Sequence, residues 1–143
     1  MLSDLLIPEA IIPLVRATSK KRLLQELATH ISVVYNLEQA DIFFALQERE
    51  ILGATGMGDG VAIPHARLKN LTEVKGLFLK IEKPINFNPI DSQHVDLIFA
   101  LIAPDKPGTD HLKALARVSR LLRKQDICSK PVSYTHLTLP TTD

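Results

Sequence analysis

The sequence predicts an α/β domain in which helices pack on a β-sheet, because helical and strand patterns alternate along the chain. Apolar residues recur at helical spacing in residues 19–36 and 37–50, and two apolar strand-like segments follow at 74–81 and 95–103. A third helical pattern covers residues 109–124. The 143 residues suffice for one domain with a substantial core.

The first helix is expected to begin after Ser19, a favourable N-cap, and to end at Asn36. Its core-facing positions are Leu23, Leu24, Leu27, Ile31 and Val34. The second helix is expected to stop at Gly53. Its apolar side is predicted to comprise Leu37, Ala40, Ile42, Phe44 and Leu46.

The two strands are predicted at Val74 to Ile81 and at Val95 to Ala103. The second strand is almost continuously apolar, which is typical of a strand covered on both faces. Between the strands, several turn-forming residues predict a connection without regular structure: Pro84, Asn86, Asn88, Pro89 and Asp91.

The last helix can be capped by Thr109 or Asp110, with Leu112, Leu115, Val118 and Leu122 toward the core. The tail, residues 131–143, has no sustained period. Its SYTHLTLPT core is typical of vector-derived or frame-shifted sequence, so we exclude it from the fold. The predicted domain therefore spans residues 1–130.

Composition argues against several functional classes. The formal net charge is +1, which gives no reason to expect nucleic-acid binding. No uninterrupted apolar run reaches the ~20 residues of a membrane-spanning helix, so membrane insertion is not expected. The single cysteine, Cys128, cannot form an internal disulfide. A cytoplasmic protein is the expectation.

The chemically informative stretch is GATGMGDGVAIPHARL, residues 53–68. Gly56, Gly58 and Gly60 allow a sharp turn and exposed backbone N–H groups that can receive an anion. Pro64 biases the preceding residue toward an extended backbone and so gives His65 a defined approach. Phosphoryl transfer to the histidine joins these features, since amides can hold phosphate oxygens while the ring nitrogen attacks.

Two other interpretations stay open from the residues alone. The glycines can form an ordinary turn beside a surface histidine, and Arg49 and Arg67 can be solvated charges. A metal-binding module could instead use His65 and His111 with Asp59. No compact ligand motif supports the metal site, so neither a metal nor a cofactor is expected.

A family resemblance favours the phosphoryl-transfer hypothesis. The segment from Arg49 through REILGATGMGDGVAIPHARL resembles the fructose/mannitol-type (type-2) EIIA domain of the bacterial phosphoenolpyruvate-dependent phosphotransferase system, or PTS. The later VDLIFALIAPDKPGTDHLKALARVSRLLR matches the same family in the expected order. The resemblance covers about residues 1–130 and is greatest to the nitrogen-regulatory branch, EIIA-Ntr.

The resemblance implies a mixed, mainly parallel β-sheet flanked by helices, the mannitol-type EIIA fold. Family members continue after a motif like LLRKQDICSK into another helix, whereas this chain proceeds to Pro131. The final helix of the family is therefore expected to be missing.

The resemblance also assigns roles. His65 matches the histidine that accepts a phosphoryl group on Nε2 from an HPr-like protein, and His111 matches a second histidine that holds a phosphoryl oxygen. Arg49 matches an active-site arginine that provides electrostatic support. Gly56, Gly58 and Gly60, with Arg67 as a supporting cation, are our candidate phosphate contacts.

The expected function is that of a regulatory phosphohistidine carrier. Family partners include potassium-transport and sensor-kinase proteins, which would respond to the phosphorylation state. The alternative is the sugar-transport branch of the family, in which His65 would pass the phosphoryl group to an EIIB domain.

Overall fold

In the described part of the chain, one strand is followed by two helices and then by five strands. A computed structural model describes residues 7–88 and 93–106, together with residues 113, 116–118 and 120. After a 3₁₀ turn at Pro8–Ala10, the elements are β1 (Ile11–Val15), α1 (Lys20–Tyr35), α2 (Gln39–Leu52), β2 (Gly56–Gly58), β3 (Val61–Ala62), β4 (His65–Leu68), β5 (Lys75–Asn88) and β6 (Gln93–Pro104).

The strands form one six-stranded sheet in the order β1-β5-β6-β3-β2, with β4 also pairing with β6. Strand β6 pairs antiparallel with β5 along one edge and parallel with β3 and then β4 along the other. Strand β1 pairs parallel with β5, and β2 pairs antiparallel with β3. Three of these five pairings are parallel, so the predicted mixed, mainly parallel sheet is confirmed.

Helix α1 has the ends that its sequence predicts. The Ser19 hydroxyl accepts a hydrogen bond from the Arg22 N–H at 3.1 Å, which satisfies one of the free donors of the first turn. Asn36 ends the helix in the left-handed conformation with φ of 56°, which asparagine tolerates better than most residues. The predicted core positions Leu23, Leu24, Leu27 and Ile31 are buried, and Val34 packs against the core.

Helix α2 also lies where predicted, but its buried side is narrower. Ile42 and Leu46 are buried, whereas Ala40 is exposed and Phe44 is 63% exposed, so the prediction was wrong for those two residues. A helix turns by about 100° per residue, so residues two positions apart point to nearly opposite sides. The third residue in register with Ile42 and Leu46 is the buried Glu50.

Strand β5 is longer than the sequence predicted, and it runs through the expected turn. Pro84 and Asn86 are exposed while Ile85 and Phe87 are buried, the alternation of a half-covered strand. The pairing with β6 skips from Lys80 to Ile85, so Pro84 is not required to donate to the ladder. The turn prediction is therefore wrong at Pro84, Asn86 and Asn88; Pro89 and Asp91 lie outside the described residues.

Strand β1 was not predicted. It contains Pro13, and proline weakens a strand assignment unless the strand lies at a sheet edge. In the described part of the chain, β1 does lie at the edge, beside β5.

The core lies on both faces of β6, as its apolar sequence predicts. Ile98, Ala100 and Ile102 belong to the apolar cluster shared with α1 and α2. The residues that alternate with them are also buried: Leu97, Phe99 and Leu101. Phe78 and Phe99 contact each other edge to face, with ring centroids 6.1 Å apart.

The last predicted helix is described only at a few positions. Residues 113, 116–118 and 120 are helical, and Val118 is buried as predicted. Thr109, Asp110, Leu112, Leu115, Leu122 and the tail lie outside the described residues, so the domain limits stay predictions. Among the helices described, none is long and apolar enough to cross a membrane.

Candidate functional site

His65 is the first residue of β4, directly after the Ile63-Pro64 step that separates β3 from β4. The sheet continues across this step, because the Pro64 carbonyl accepts a hydrogen bond from the Leu101 N–H at 2.9 Å. His65 is then paired with Leu101 in the parallel ladder. The backbone that presents the histidine is therefore held on the sheet, which gives His65 the defined approach expected from Pro64.

The hydrogen bonds of the ring define its tautomer. His65 Nδ1 lies 2.8 Å from the Ile63 carbonyl oxygen, which can only accept, so Nδ1 carries the proton. Arg49 Nε donates to His65 Nε2 across 3.3 Å, which requires a lone pair on Nε2. In the neutral ring, Nε2 is thus the nucleophilic atom.

Arg49 reaches the ring from the last turn of α2. Its Nη1 donates to the Gly53 carbonyl oxygen at 2.8 Å, at the carbonyl end of the helix where a positive charge is favourable. Two different N–H groups of the Arg49 guanidinium thus donate hydrogen bonds, one to the carbonyl at the end of α2 and one to the histidine on β4. The sequence placed Arg49 near the glycine segment, and the fold brings its side chain to His65.

The pKa of His65 is lowered from its ordinary value. Burial is the largest cause, and the Arg49 charge acts in the same direction. The hydrogen bond to the Ile63 carbonyl and the negative charge of Glu50 oppose the shift. The ring is therefore neutral at neutral pH, with its Nε2 lone pair retained.

A cavity between α2 and β4 opens on these residues. Its wall includes Arg49, His65 and Arg67, with the apolar side chains of Phe44 and Leu52. Arg67 is exposed, two residues after His65 on the same strand. The candidate cations and the histidine predicted from the sequence therefore share one cavity.

The glycines form a hairpin. Strands β2 and β3 are joined by Asp59-Gly60, which have φ of 56° and 81° and so meet the φ requirement of a type I′ turn. The predicted sharp turn is confirmed. The Gly60 carbonyl accepts from the N–H groups of Asp96 and Leu97, which joins the hairpin to β6. A contact of the Gly56, Gly58 and Gly60 N–H groups with phosphate stays a prediction.

His111 lies outside the described residues, so its role also stays a prediction. The metal-binding hypothesis used His65 and His111 with a carboxylate such as Asp59. Across the described ranges, no three His, Cys, Asp or Glu side chains come together as metal ligands would.

Sequence analysis missed a buried polar network behind His65. Glu50 accepts hydrogen bonds from the Thr55 hydroxyl and, at 3.2 Å, from the Thr55 N–H. Lys20 Nζ lies 2.8 Å from the same carboxylate. The spacing of Glu50 in the sequence could have indicated its burial. Glu50 follows Ile42 and Leu46 at four-residue intervals, so it falls on the buried side of α2.

Comparison with known proteins gives consistent results. Residues 4–133 match the family model described as phosphoenolpyruvate-dependent sugar phosphotransferase system, EIIA 2. A nitrogen regulatory protein of Bradyrhizobium diazoefficiens is 49% identical over 129 residues, covering 90% of this chain and 84% of that protein.

Solved structures agree with the sequence matches. Nitrogen regulatory protein IIA-Ntr from Neisseria meningitidis has a TM-score of 0.82 at 32% identity, covering 93% of this chain and 89% of that one. The Escherichia coli enzyme IIAMTL, solved with phosphorylated enzyme IIBMTL, has a TM-score of 0.73 at 15% identity, covering 95% and 97%. The second likeness concerns the fold alone.

Proposed function

Since the chain belongs to the EIIA 2 family of the phosphoenolpyruvate-dependent sugar phosphotransferase system, we propose that it is a phosphohistidine carrier of the nitrogen-related branch. In this proposal His65 accepts a phosphoryl group from an HPr-like protein, and the phosphorylation state regulates partner proteins. The observation that carries it is the ring geometry: Nδ1 donates to the Ile63 carbonyl at 2.8 Å while Nε2 keeps its lone pair.

The transfer step needs few groups from the protein. The His65 Nε2 lone pair attacks the phosphorus of the donor's phosphohistidine, and the P–N bond of the donor breaks with its electron pair returning to the donor nitrogen. No proton has to leave His65, because Nε2 is unprotonated in this tautomer. The lowered pKa of His65 keeps that form available at neutral pH.

Arg49 is proposed to change partners during the step. Its Nε now donates to Nε2, the atom that forms the new bond, so this hydrogen bond is lost when phosphorus arrives. The guanidinium then lies next to the phosphoryl oxygens, which its fork of donors suits. The Gly53 carbonyl keeps the side chain from leaving the site.

The surroundings of His65 support a protein as donor. Phe44 is 63% exposed and Leu52 is 84% exposed, and both line the cavity that contains the histidine. Exposed Arg67 and Lys69 lie on the same cavity. Apolar side chains with cations beside them suit docking of a protein surface that carries a phosphate.

The choice of branch rests on the relatives. The 49% identity to a nitrogen regulatory protein and the fit to a IIA-Ntr structure favour regulation over sugar transport. Potassium-transport and sensor-kinase proteins are the partner classes that we propose to respond to the phosphorylation state of His65.

The proposal predicts one labelled site. Incubation with a phosphorylated HPr-like protein, followed by intact mass measurement and site mapping, should show one acid-labile phosphoryl group on His65. His65→Ala should lose it because the substitution removes the attacking Nε2 atom. His111→Ala should be labelled more slowly or hold the group for a shorter time.

Wild-type protein that is folded but labelled by no HPr-like donor would contradict the carrier function. Rapid onward transfer to a sugar-specific EIIB domain would instead favour the sugar-transport branch, with the carrier chemistry intact.

A further inference from the structure

A buried carboxylate, Glu50, lies close enough to the candidate nucleophile for its negative charge to act on the His65 ring. Glu50 is only 9% exposed; it accepts hydrogen bonds from the N–H and hydroxyl of Thr55 and forms an ion pair with Lys20. Burial of a charged carboxylate is unfavourable unless it is paired and hydrogen-bonded, as it is here. The proposed transfer step does not use Glu50 as an acid, a base or a phosphate contact.

Three hydrogen bonds connect this carboxylate to the histidine ring. Glu50 accepts from the Thr55 N–H at 3.2 Å, and the Thr55 carbonyl accepts from the Ile63 N–H at 3.1 Å. The Ile63 carbonyl then accepts from His65 Nδ1 at 2.8 Å. The group that selects the tautomer of His65 is thus part of a segment that Glu50 anchors through both the backbone N–H and the hydroxyl of Thr55.

Lys20 fixes the other side of the carboxylate. Its Nζ lies 2.8 Å from Glu50 Oε1, donates to the Phe87 carbonyl at 3.0 Å, and lies 4.4 Å from the centre of the Phe87 ring. Lys20 is the first residue of α1, Glu50 is near the end of α2, and Phe87 is on β5. The carboxylate is therefore held between two helices and the sheet.

From this geometry we infer that Glu50 is a positioning residue for phosphoryl transfer, acting through Thr55 and Ile63 to hold His65 as the Nδ1–H tautomer. It also supplies negative charge that balances the ring during transfer. When Nε2 bonds to phosphorus while Nδ1 keeps its proton, the imidazole ring becomes positively charged. The negative charge of Glu50 favours a positive ring, in the same direction as its effect on the pKa of His65.

The inference rests on the proposed carrier function, but its first test needs no donor. Ring-nitrogen NMR of the unphosphorylated full chain measures the tautomer of His65 directly. We expect the Nδ1–H form to dominate in the wild type. Its share should fall in Glu50→Gln and in Thr55→Val, which removes the hydroxyl at similar size.

Kinetics with a phosphorylated HPr-like donor provide the second measurement. Glu50→Gln should lower kcat about tenfold or more, since a small misplacement of a reacting group has effects of this order. KM for the donor should not change, because Glu50 is buried beneath the site. The matched control is Glu82→Gln, which removes an exposed ion pair with Arg16 and should keep wild-type values.

Thr55→Ser is the conservative partner of Thr55→Val and retains the hydroxyl. The serine variant should restore the tautomer and kcat, so this pair decides the question even if Glu50→Gln does not fold. Equal behaviour of the serine and valine variants would overturn the inference, as would a wild-type tautomer and kcat in Glu50→Gln. If no donor labels even the wild type, the carrier function fails while the NMR comparison still tests the positioning.

Discussion

Arg49 brings a permanent positive charge to the nitrogen that is proposed to attack phosphorus. Its Nε–H contacts Nε2 in the unphosphorylated protein, and its charge helps lower the pKa of His65. Both effects keep the ring neutral and ready to react. After transfer the same charge would face a phosphoryl group and stabilise it, so one side chain serves both states.

Replacing this arginine should therefore shift the titration of the histidine. In Arg49→Gln, the pKa of His65 should rise toward its ordinary value of 6.5, because the positive charge that repels a protonated ring is lost. An NMR titration of the ring measures this, and the rate of phosphoryl transfer should fall in parallel. Arg67→Gln is the matched control on the same cavity, and it should leave the pKa of His65 nearly unchanged.

The direction of the His65 pKa shift also determines how the folding stability depends on pH. A histidine whose folded pKa lies below its unfolded value contributes stability that is complete above the unfolded pKa and is lost as pH falls through the folded pKa. In Arg49→Gln the folded pKa of His65 should lie closer to its unfolded value. The loss of folding stability that His65 causes on acidification should therefore be smaller in the variant. A downward shift of the His65 pKa in Arg49→Gln would contradict the role given to its charge.

At the scale of elements, the β2–β3 hairpin joins the glycine segment to the sheet. Its turn places Gly60 at φ of 81°, where a side chain is strained. A Cβ added there would also lie 3.3 Å from Asp96 Oδ1. The glycine is thus required by the backbone of the turn, whatever its contact with phosphate.

Gly60→Ala should lower the free energy of unfolding by about 1–2 kcal/mol, the usual penalty of a left-handed non-glycine residue. Chemical denaturation measures this change. Gly53→Ala is the matched control, because Gly53 has an extended backbone and a Cβ there would meet no atom within 4 Å. Equal stability of the two variants would show that the turn tolerates a side chain.

Elements with a strong local pattern could be predicted from the sequence. Helix α1 carries its own cap residues, and β6 has a continuous apolar run. Strand β1 and the far half of β5 could not be predicted, because each contains a proline. Whether a proline destabilises a strand depends on how the neighbouring strand pairs with it. The exposure of Phe44 depends on which side of α2 meets the sheet, a property of packing.

At the scale of the whole molecule, the site draws on segments distant in sequence. His65 and Arg49 could be found because a motif and a family resemblance mark them. The sequence did not reveal that Glu50 contacts Lys20 and Thr55, because a charged residue on a helix gives no sign of its buried partner. Only the packing of α1 on α2 and on β5 brings Lys20 to Glu50.

The pairing of β4 limits what phosphorylation of His65 could change in the backbone. From His65 to Leu68, β4 is paired residue by residue with β6, which is itself paired with β5 on its opposite edge. Phosphorylation would thus add a negatively charged phosphoryl group to a side chain whose backbone is held by the sheet. Amide hydrogen exchange of β4 and β6 should be the same in the two states, and a marked difference would contradict this. A partner would then distinguish the two states by local electrostatic potential rather than by a change of shape. Because salt screens this potential, high salt should weaken the partner's discrimination between the states.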